Sequence, residues 1–528
     1  MSTTTYSDKI NEMVAEQGEM VRWFITVAVS LGALLEVIDT SIVNVALPHI
    51  QGNLGATLSE VGWVITGYSI ANAVIIPLTA WLGGIFGRKG YFNFSMIGFT
   101  LSSIMCGMAT DLTTLVIARI IQGLCGGGLL AKAQAILFEA FPKEKQGMAQ
   151  GVFGICVIVG PIIGPTLGGY LTDTLDWRWI FFINIPFGIL AVIMCSIFLP
   201  KDEGGKVSSI DWLGILYMIV GLGSFQYVLE KGQEDDWFSS PLICVLSVCA
   251  VVGAILFVAR ELTTQHPAVD LRVLRYRSVA AGVTYSLVLG AGLYGVSFVV
   301  PNFAQTVLAY TAMQTGLLLL PGSIASGIMM PIMGAFSGKV DARIMIAIGA
   351  VSTAAIMFGL VSVTSQTGYD DFFWPLLLRG VAIVFMYMPL TMATLGNVAP
   401  KDIAAASAFF SLARQLGGSV GIAALTTVLA RRLDFHRAIL VEKINPFNPA
   451  VQERMHAFTA LFHNRGASAH DATAGANALL NNIVNVQTLV LSFADLFWLV
   501  GAMFIVTLPL LFFLDKGQRR KAAAAAAH

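Results

Sequence analysis

About fourteen apolar stretches, each near the 20 residues that an α-helix needs to cross a bilayer, constrain this chain more than any other feature. Of its residues, 56% are hydrophobic and only 12% are charged, which is about half the charged fraction of soluble domains. Lipid offers the backbone no hydrogen-bond partner, so such stretches must be helical. The sequence therefore predicts an all-α integral membrane protein with about 14 transmembrane helices, near 22–47, 60–83, 91–110, 113–137, 147–171, 178–199, 211–230, 239–260, 278–303, 313–337, 342–364, 373–396, 402–428 and 487–514.

The basic residues predict the orientation. An even number of spans puts both ends of the chain on one side, and loops rich in Lys and Arg lie in the cytoplasm. The loops on the N-terminal side carry most of the basic loop residues, so both termini are expected in the cytoplasm, and no cleavable signal peptide is expected. These residues are Arg88, Lys89, Lys143, Lys145, Lys201, Lys206, Arg272, Arg275, Arg277, Lys339, Arg343, Arg519, Arg520 and Lys521.

One long polar segment, about 429–486, breaks this charge pattern on the outer side. It holds six basic residues, which are Arg431, Arg432, Arg437, Lys443, Arg454 and Arg465. Residues 449–463 have the pattern of a short amphipathic helix. The segment is either filler or a docking surface for an external partner, and we favour docking.

A weak internal repeat predicts the domain organisation. Residues 77–84 resemble 331–338, and 115–119 resemble 375–379, so spans 1–6 correspond to spans 9–14. Two parallel six-helix bundles with two inserted helices form a transporter plan, with the site near the midplane between the halves. The predicted divisions are a cytoplasmic segment 1–21, an N-terminal bundle 22–200, an insert 201–277, a C-terminal bundle 278–514 and a tail 515–528 that ends in an apparent cloning remnant.

The first span carries two carboxylates in its interior, Glu36 and Asp39. Ionisable residues at membrane depth cost about 2.5–3.5 kcal/mol each on insertion scales and usually face a cavity or a partner. Arg119, on one face of span 4 with Gln122, lies roughly 9 Å below its outer end, and Asp39 lies roughly 13 Å below its own. The two are expected to pair. Such a pair either loads and releases a proton or locks the helices, and Glu36 has the same two interpretations.

Span 5 contains the most specific pattern in the chain, two Gly-Pro pairs in register. Glycines four residues apart form a smooth strip that admits another backbone closely, and prolines four apart bend the helix. The predicted gating helix therefore comprises Gly160, Pro161, Gly164, Pro165, Gly168 and Gly169.

Several other positions are candidates with a plain structural alternative. Asp495, in the outer half of span 14, is a second protonation site or a helix-packing hydrogen bonder. Lys132, in the inner half of span 4, snorkels or pairs with an acid, or it binds an anionic group of a substrate. An adaptable pocket, whose members are otherwise core or lipid-facing, is predicted from Gln122, Lys132, Tyr68, Tyr294, Phe298, Tyr387, Met388 and Arg414.

Other classes of function find no support. The formal net charge is zero, so nothing indicates nucleic acid, and the six cysteines lie in apolar stretches without metal-ligand spacing. No Ser/His/Asp set in a soluble domain and no nucleotide-binding loop is present, which argues against an enzyme or an ATP-driven pump. No cofactor is predicted other than the proton as coupling ion.

Together these motifs resemble the fourteen-span drug:proton antiporters of the major facilitator superfamily, and the long outer segment is similar to their EmrB-type branch. The resemblance implies an inner-membrane pump of a Gram-negative bacterium that exports hydrophobic drugs or uncouplers, with a periplasmic adaptor protein and an outer-membrane channel as partners. It assigns proton coupling to Asp39 and Arg119. It is carried by residues 35–48, 119–123, 160–169, 177–186, 378–380, 413–417 and 493–498.

One departure from the family pattern concerns the cytoplasmic turn after span 2. The family has an Asp in a Gly-x-Leu-Ala-Asp pattern, where this chain has Gly84. The charge contact that steadies the closed inner gate is therefore expected to be absent.

The leading prediction is a proton-coupled multidrug efflux antiporter that works by alternating access. The alternative is an exporter of one physiological solute, such as a siderophore or fatty acid. A membrane receptor without transport is disfavoured, because it has no need of buried charges such as Asp39 and Arg119.

Overall fold

The computed structural model describes residues 6–202, 204–205, 210–336, 340–445 and 447–514. The predicted tail 515–528, Gly338 of the repeat, and Lys206, Lys339, Arg519, Arg520 and Lys521 lie outside these residues. In the described chain the α-helices are α1 (Tyr6–Gln17), α2 (Met20–Leu54), α3 (Leu58–Val61), α4 (Trp63–Phe86), α5 (Arg88–Gly107), α6 (Leu112–Gly126), α7 (Leu129–Ala140), α8 (Lys143–Thr174), α9 (Trp179–Phe182), α10 (Asn184–Phe198), α11 (Trp212–Lys231), α12 (Pro241–Thr263), α13 (Arg277–Thr306), α14 (Ala312–Phe336), α15 (Ala342–Gly359), α16 (Tyr369–Leu395), α17 (Ile403–Glu442), α18 (Pro449–Asn464) and α19 (Ala469–Val506). Short 3-10 helices occupy Trp237–Ser239, Leu271–Arg275, Leu360–Ser362, Pro400–Asp402 and Leu508–Phe513.

Membrane-spanning helices dominate the architecture. Within the described chain, 12 helices are long and apolar enough to cross a membrane, or up to 13 if the bent α8 counts as one span. The remaining predicted span, 91–110, coincides with α5, which has 20 residues but is not among those helices. The all-helical membrane fold is confirmed, whereas the count of fourteen crossings and the division into bundles stay predictions.

Local sequence explains where helices begin. Asp111 precedes α6, and its carboxylate accepts a hydrogen bond of 2.8 Å from the backbone N–H of Thr114. Asp211 caps α11 in the same way, with a bond of 3.1 Å from Gly214. Such caps satisfy N–H groups that lack partners within the helix. Each cap therefore fixes the residue at which its apolar helix begins.

The inserted helix α11 contacts both halves of the molecule. The Gln226 side chain donates a 2.8 Å hydrogen bond to the hydroxyl of Ser419 on α17. Near the end of the same helix, the Lys231 ammonium donates to the carbonyl of Ser59, which precedes α4, at 3.4 Å. The insert thus lies along the seam between α4 and α17.

Two further seams join the halves. Helix α8 packs against α14, where a Cβ atom on Gly151 would lie 2.7 Å from the Met330 carbonyl oxygen. Helix α17 meets α7, where the Ser407 hydroxyl donates to the Ala131 carbonyl at 2.8 Å. The α7–α17 contact lies toward the predicted cytoplasmic side.

The outer segment 429–486 is mostly helical rather than a polar loop. Helix α17 continues to Glu442, α18 covers Pro449–Asn464 near the predicted 449–463, and α19 begins at Ala469. Helix α18 packs on α19, since a Cβ atom on Gly475 would meet the Phe462 ring at 3.1 Å. The Arg437 guanidinium on α17 donates to Asn481 on α19 at 3.2 Å. These helices are stabilised by packing against one another rather than by contact with lipid. The polarity of the sequence alone does not reveal such packing.

Candidate functional site

The centre of the candidate site is an ion pair between α2 and α6. Arg119 Nη1 lies 2.5 Å from Asp39 Oδ2, and the two side chains are 1% and 0% exposed. Burying two charges is costly and is compensated only when hydrogen bonds satisfy their remaining polar atoms. The hydrogen-bond partners of Asp39 and Arg119 therefore determine the chemistry that is open to the pair.

Two amides complete the surroundings of the Asp39 carboxylate. Gln122 Nε2 and Asn184 Nδ2 each donate to Asp39 Oδ1 at 3.0 Å. Gln122 Oε1 also accepts from Arg119 Nη1 at 2.7 Å. Arg119 Nε donates to the Val64 carbonyl at 3.0 Å. The pair is thus fully enclosed by α2, α4, α6 and α10, and protonation of Asp39 would release the hydrogen-bond donors of three side chains.

Aromatic rings cover the Arg119 guanidinium. Its Cζ lies 4.1 Å from the centre of the Tyr68 ring and 5.8 Å from that of Phe181. A cation over an aromatic face gains about 0.5–2 kcal/mol, more when desolvated. Tyr68, predicted as a pocket residue, is 2% exposed and so acts here as a wall of the charged cluster.

Glu36 has separate partners from Asp39, although both are on α2. Its Oε1 accepts from Asn72 Nδ2 at 3.1 Å, and its Oε2 accepts from the backbone N–H of Leu130 at 2.7 Å. That N–H is available because predicted span 4 is broken between α6 and α7, where Gly128 has a φ of 77°. The two carboxylates therefore bind different elements and are not one acidic pair.

Lys132 forms no ion pair among the described residues. Its Nζ donates to the Ser95 hydroxyl at 2.6 Å and lies 3.9 Å from the centre of the Tyr91 ring. Glu139, the acid two turns further on, instead pairs with Arg88 at 2.6 Å. Of the alternatives for Lys132, an ion pair with an acid is therefore not formed in the described chain, because α5 presents a hydroxyl and an aromatic face to its ammonium group. Binding of an anionic substrate group stays a prediction.

A cleft of about 280 Å³ opens toward the predicted cytoplasmic side, between the halves. Lys132 and Glu139 line it from α7, and Lys401 lines it from the segment before α17. Gly84 also lines the cleft, and a Cβ atom there would meet nothing within 4 Å. The space in which the family's Asp would lie is therefore open.

The glycine strip of α8 packs directly on α2. A Cβ atom on Gly160 would lie 2.7 Å from Val37, and one on Gly164 would overlap Ser41. A Cβ atom on Gly168 would lie 2.9 Å from the Ile42 carbonyl oxygen. Helix α8 bends by 44° between Lys143–Pro161 and Ile163–Thr174, so the break lies between the two Gly-Pro pairs. Pro165 and Gly169 lie beyond the bend.

The pocket candidates of the C-terminal half have different surroundings, and a pocket formed by them stays a prediction. Tyr387 and Met388 are buried at 2% and 0% exposure, and the Arg414 guanidinium lies 5.8 Å from the Tyr387 ring centre. Tyr294 packs against α17, since a Cβ atom on Gly418 would meet its ring, while Phe298 packs on the main apolar core. Arg414 and Tyr387 are thus neighbours, while Tyr294, Phe298 and Met388 have packing contacts.

Asp495 lies at the outer end of the bundle, between α17 and α19. Its Oδ2 is 2.7 Å from His436 Nε2 and 3.3 Å from Arg432 Nε. The side chain is 36% exposed, unlike that of Asp39. These contacts fit the helix-packing alternative for Asp495.

Some buried polar groups were not predicted as site residues. Asn184 was part of a family motif but had no role, and Asn72 was not singled out. Arg379, the repeat counterpart of Arg119, is 6% exposed, and its Nε and Nη1 have no hydrogen-bond partner within the described chain. The intramembrane amides were the available sequence signal for the two asparagines, whereas the lack of an acid near Arg379 follows only from the fold.

An all-helical membrane fold with a buried charged cluster between its spans defines a membrane transporter. The chain belongs to the major facilitator superfamily, whose model matches residues 29–422. It is 36% identical to the multidrug export protein EmrB of Escherichia coli (strain K12), over 92% of this chain and 94% of that one. It is 33% identical to the fatty acid resistance protein FarB of Neisseria gonorrhoeae, over 94% and 96% of the two chains. The solved proton:xylose symporter XylE shares the fold, with a TM-score of 0.58 at 14% identity over 93% of this chain and 95% of that one.

Proposed function

We propose that this transporter exports hydrophobic drugs in exchange for protons, by alternating access. The observation that carries the proposal is the buried Asp39–Arg119 pair, enclosed by Gln122 and Asn184. The similarity to the multidrug export protein of E. coli supports export of drugs rather than uptake of a nutrient.

Protonation of Asp39 couples to the fold through α2. A neutral carboxyl no longer holds the Arg119 guanidinium, so its bonds to α6 and α10 weaken together. The opposite side of α2 lies against the glycine strip of α8, and α8 in turn packs on α14 of the other half. A shift of α2 is thereby passed across the seam. One proton moving inward across 100 mV supplies about 2.3 kcal/mol, enough for more than a tenfold drug gradient.

The outer helices support a partner outside the membrane. Helix α17 passes the predicted end of its span at residue 428 and reaches Glu442, and α18 has no buried residue. Apolar side chains remain exposed there, including Phe435 at 50% and Phe447 at 86%. We infer that this surface docks a periplasmic adaptor protein, which connects the pump to an outer-membrane channel. That arrangement requires an inner-membrane location with both termini in the cytoplasm.

A second candidate function is export of one physiological acid, such as a fatty acid. Lys132 and Arg414 favour it, because both are buried cations without an ion-pair partner among the described residues. The name of the FarB relative points the same way. The two candidates share the proton-coupling step and differ only in the substrate.

The test is substrate-driven pH change in proteoliposomes that contain the full chain. We expect Asp39→Asn to abolish proton movement coupled to a lipophilic cationic dye while dye binding persists. Asp173→Asn is the matched control, because Asp173 is also a helical carboxylate but is 66% exposed. Normal coupling in Asp39→Asn would refute the assignment.

A further inference from the structure

The break in predicted span 4 creates a helix N-terminus inside the membrane. Helix α6 ends at Gly126, α7 begins at Leu129, and Gly128 between them has a φ of 77°. The first N–H groups of α7 have no partner within the helix, and the helix dipole makes this end positive. Broken helices of transporters use such ends to hold anionic groups of substrates.

The chain's own Glu36 fills this end in the present structure. Its Oε2 accepts from the N–H of Leu130 at 2.7 Å, and the residue is 7% exposed. Lys132 and Arg414 lie close enough for their charges to act on Glu36. The Glu36 carboxylate thus binds a helix N-terminus and lies within the electrostatic influence of two cations.

Two buried atoms around Glu36 have no partner within the described chain. One is Nε of Arg414, a residue that is 5% exposed. The other is Oδ1 of Asn72, a residue that is 3% exposed and whose Nδ2 donates to Glu36. A buried donor and a buried acceptor without partners indicate that this arrangement is incomplete.

We propose that the α7 N-terminus, with Lys132 and Arg414, binds the carboxylate of a hydrophobic acid, and that Glu36 occupies this place until the acid arrives. The inference rests on the proposed export function and names a substrate class for it. Lys132 also lines the cytoplasmic cleft, so an acid entering from that side can reach it.

The exchange involves one proton. The incoming carboxylate accepts from the Leu130 N–H and from the two cations. The displaced Glu36 carboxylate takes one proton from water, and its new O–H donates to Asn72 Oδ1. Both unpartnered atoms thereby gain partners, and the total charge at the site is unchanged.

The experiment measures binding of 2-naphthoate and of its neutral amide, 2-naphthamide, to the purified full chain by equilibrium dialysis without a gradient. We expect the acid to bind at least about tenfold more tightly than the amide, which corresponds to about 1.4 kcal/mol. Binding should also take up about one proton per ligand, seen with a pH dye in weak buffer; Glu36→Gln should abolish this uptake and bind the acid more tightly.

Variants of Lys132 identify the site. Lys132→Met should weaken 2-naphthoate binding about tenfold, a loss of about 1.4 kcal/mol, while Lys132→Arg retains it and amide binding is unchanged in both. Lys401→Met is the matched control, because Lys401 lines the same cleft away from the α7 N-terminus. Thermal unfolding of each variant shows whether it is folded.

Equal binding of acid and amide, or proton uptake that persists in Glu36→Gln, would overturn the proposal. Failure of the proposed export function would show differently, as absence of proton-coupled dye transport in the parent chain. Because dialysis needs no gradient, the two failures are distinguishable.

Discussion

Replacing Arg119 by Met tests whether the central pair is an energetically coupled unit. Methionine keeps an unbranched side chain but removes the charge and every donor. The variant loses the 2.5 Å contact with Asp39, the bond to the Val64 carbonyl and the interaction with the Tyr68 ring. Gln122 and Asn184 remain as the neutral donors to the carboxylate.

The expected loss has two limits. Breaking a buried ion pair by removing one partner costs about 3–5 kcal/mol. The alternative is to protonate Asp39, which at pH 7 costs about 4 kcal/mol for a carboxyl group of ordinary pKa about 3.9, and at pH 5 about 1.5 kcal/mol. The variant should therefore be about 3–4 kcal/mol less stable than the parent at pH 7. The difference should shrink by about 2 kcal/mol at pH 5.

The sign follows from proton linkage. In the variant the folded state binds a proton at Asp39 that the unfolded state does not bind at these pH values, so its stability rises as the pH falls. The parent retains Arg119, so its stability is not expected to rise in this way as the pH falls. The measurement is equilibrium unfolding in dodecyl maltoside with increasing SDS, followed by tryptophan fluorescence at both pH values.

The double variant Asp39→Asn/Arg119→Met is the control, because it has no charge to protonate at this site. Its stability relative to the parent should be independent of pH over this range. A single variant whose deficit is the same at pH 7 and pH 5 would refute the reasoning, since protonation of Asp39 would then not relieve the loss of Arg119.

Three further outcomes are expected. Gly164→Ala forces α2 and α8 apart and should slow dye efflux at least about tenfold, which corresponds to about 1.4 kcal/mol on the barrier. Gly52→Ala, where a Cβ atom would have nothing within 4 Å, should leave the rate of efflux unchanged. Equal rates in the two variants would show that the strip is not a moving contact. Gly84→Asp places a carboxylate in the cleft that Lys401 also lines, and it should raise the unfolding temperature and slow efflux, both measured on one preparation. An unchanged temperature would contradict the interpretation that a gate contact is missing. Asp495→Asn should lower the free energy of unfolding by about 0–1 kcal/mol in the same SDS titration, as expected for a half-exposed ion pair. The variant should keep proton coupling in proteoliposomes. Loss of coupling would instead favour Asp495 as a second protonation site.

The hydrophobic pattern made most of the fold predictable, because lipid forces each long apolar run into a helix. The same reasoning was weakest for the segment that is surrounded by water rather than by lipid. The stretch around Arg437 and Asn481 is polar, and its helices are held by contacts with each other that no single window of sequence contains. The pattern therefore predicted a loop where α17 and α19 continue.

The sequence predicted the part of the candidate site that depends only on the depth of residues in the membrane. Counting residues from the outer ends brought Asp39 and Arg119 to similar levels, and the structure has them in contact. The partner of Glu36 was not predictable in this way, because the glycines before Leu129 are equally compatible with a continuous membrane helix. Only the positive φ of Gly128 frees the N–H that Glu36 binds. The partners of Lys132 depend on how α5 packs, which sequence spacing does not encode.

The length of α17 makes it a mechanical lever. It is one helix of 40 residues that starts near the cleft and ends in the predicted outer segment, about 60 Å away at 1.5 Å per residue. A tilt of roughly 10° about its inner end would carry the outer tip through roughly 10 Å on that length. On the proposed topology, a partner protein bound to the outer helices would therefore be displaced whenever α17 tilts, and opening of the inner gate would set the timing of that displacement.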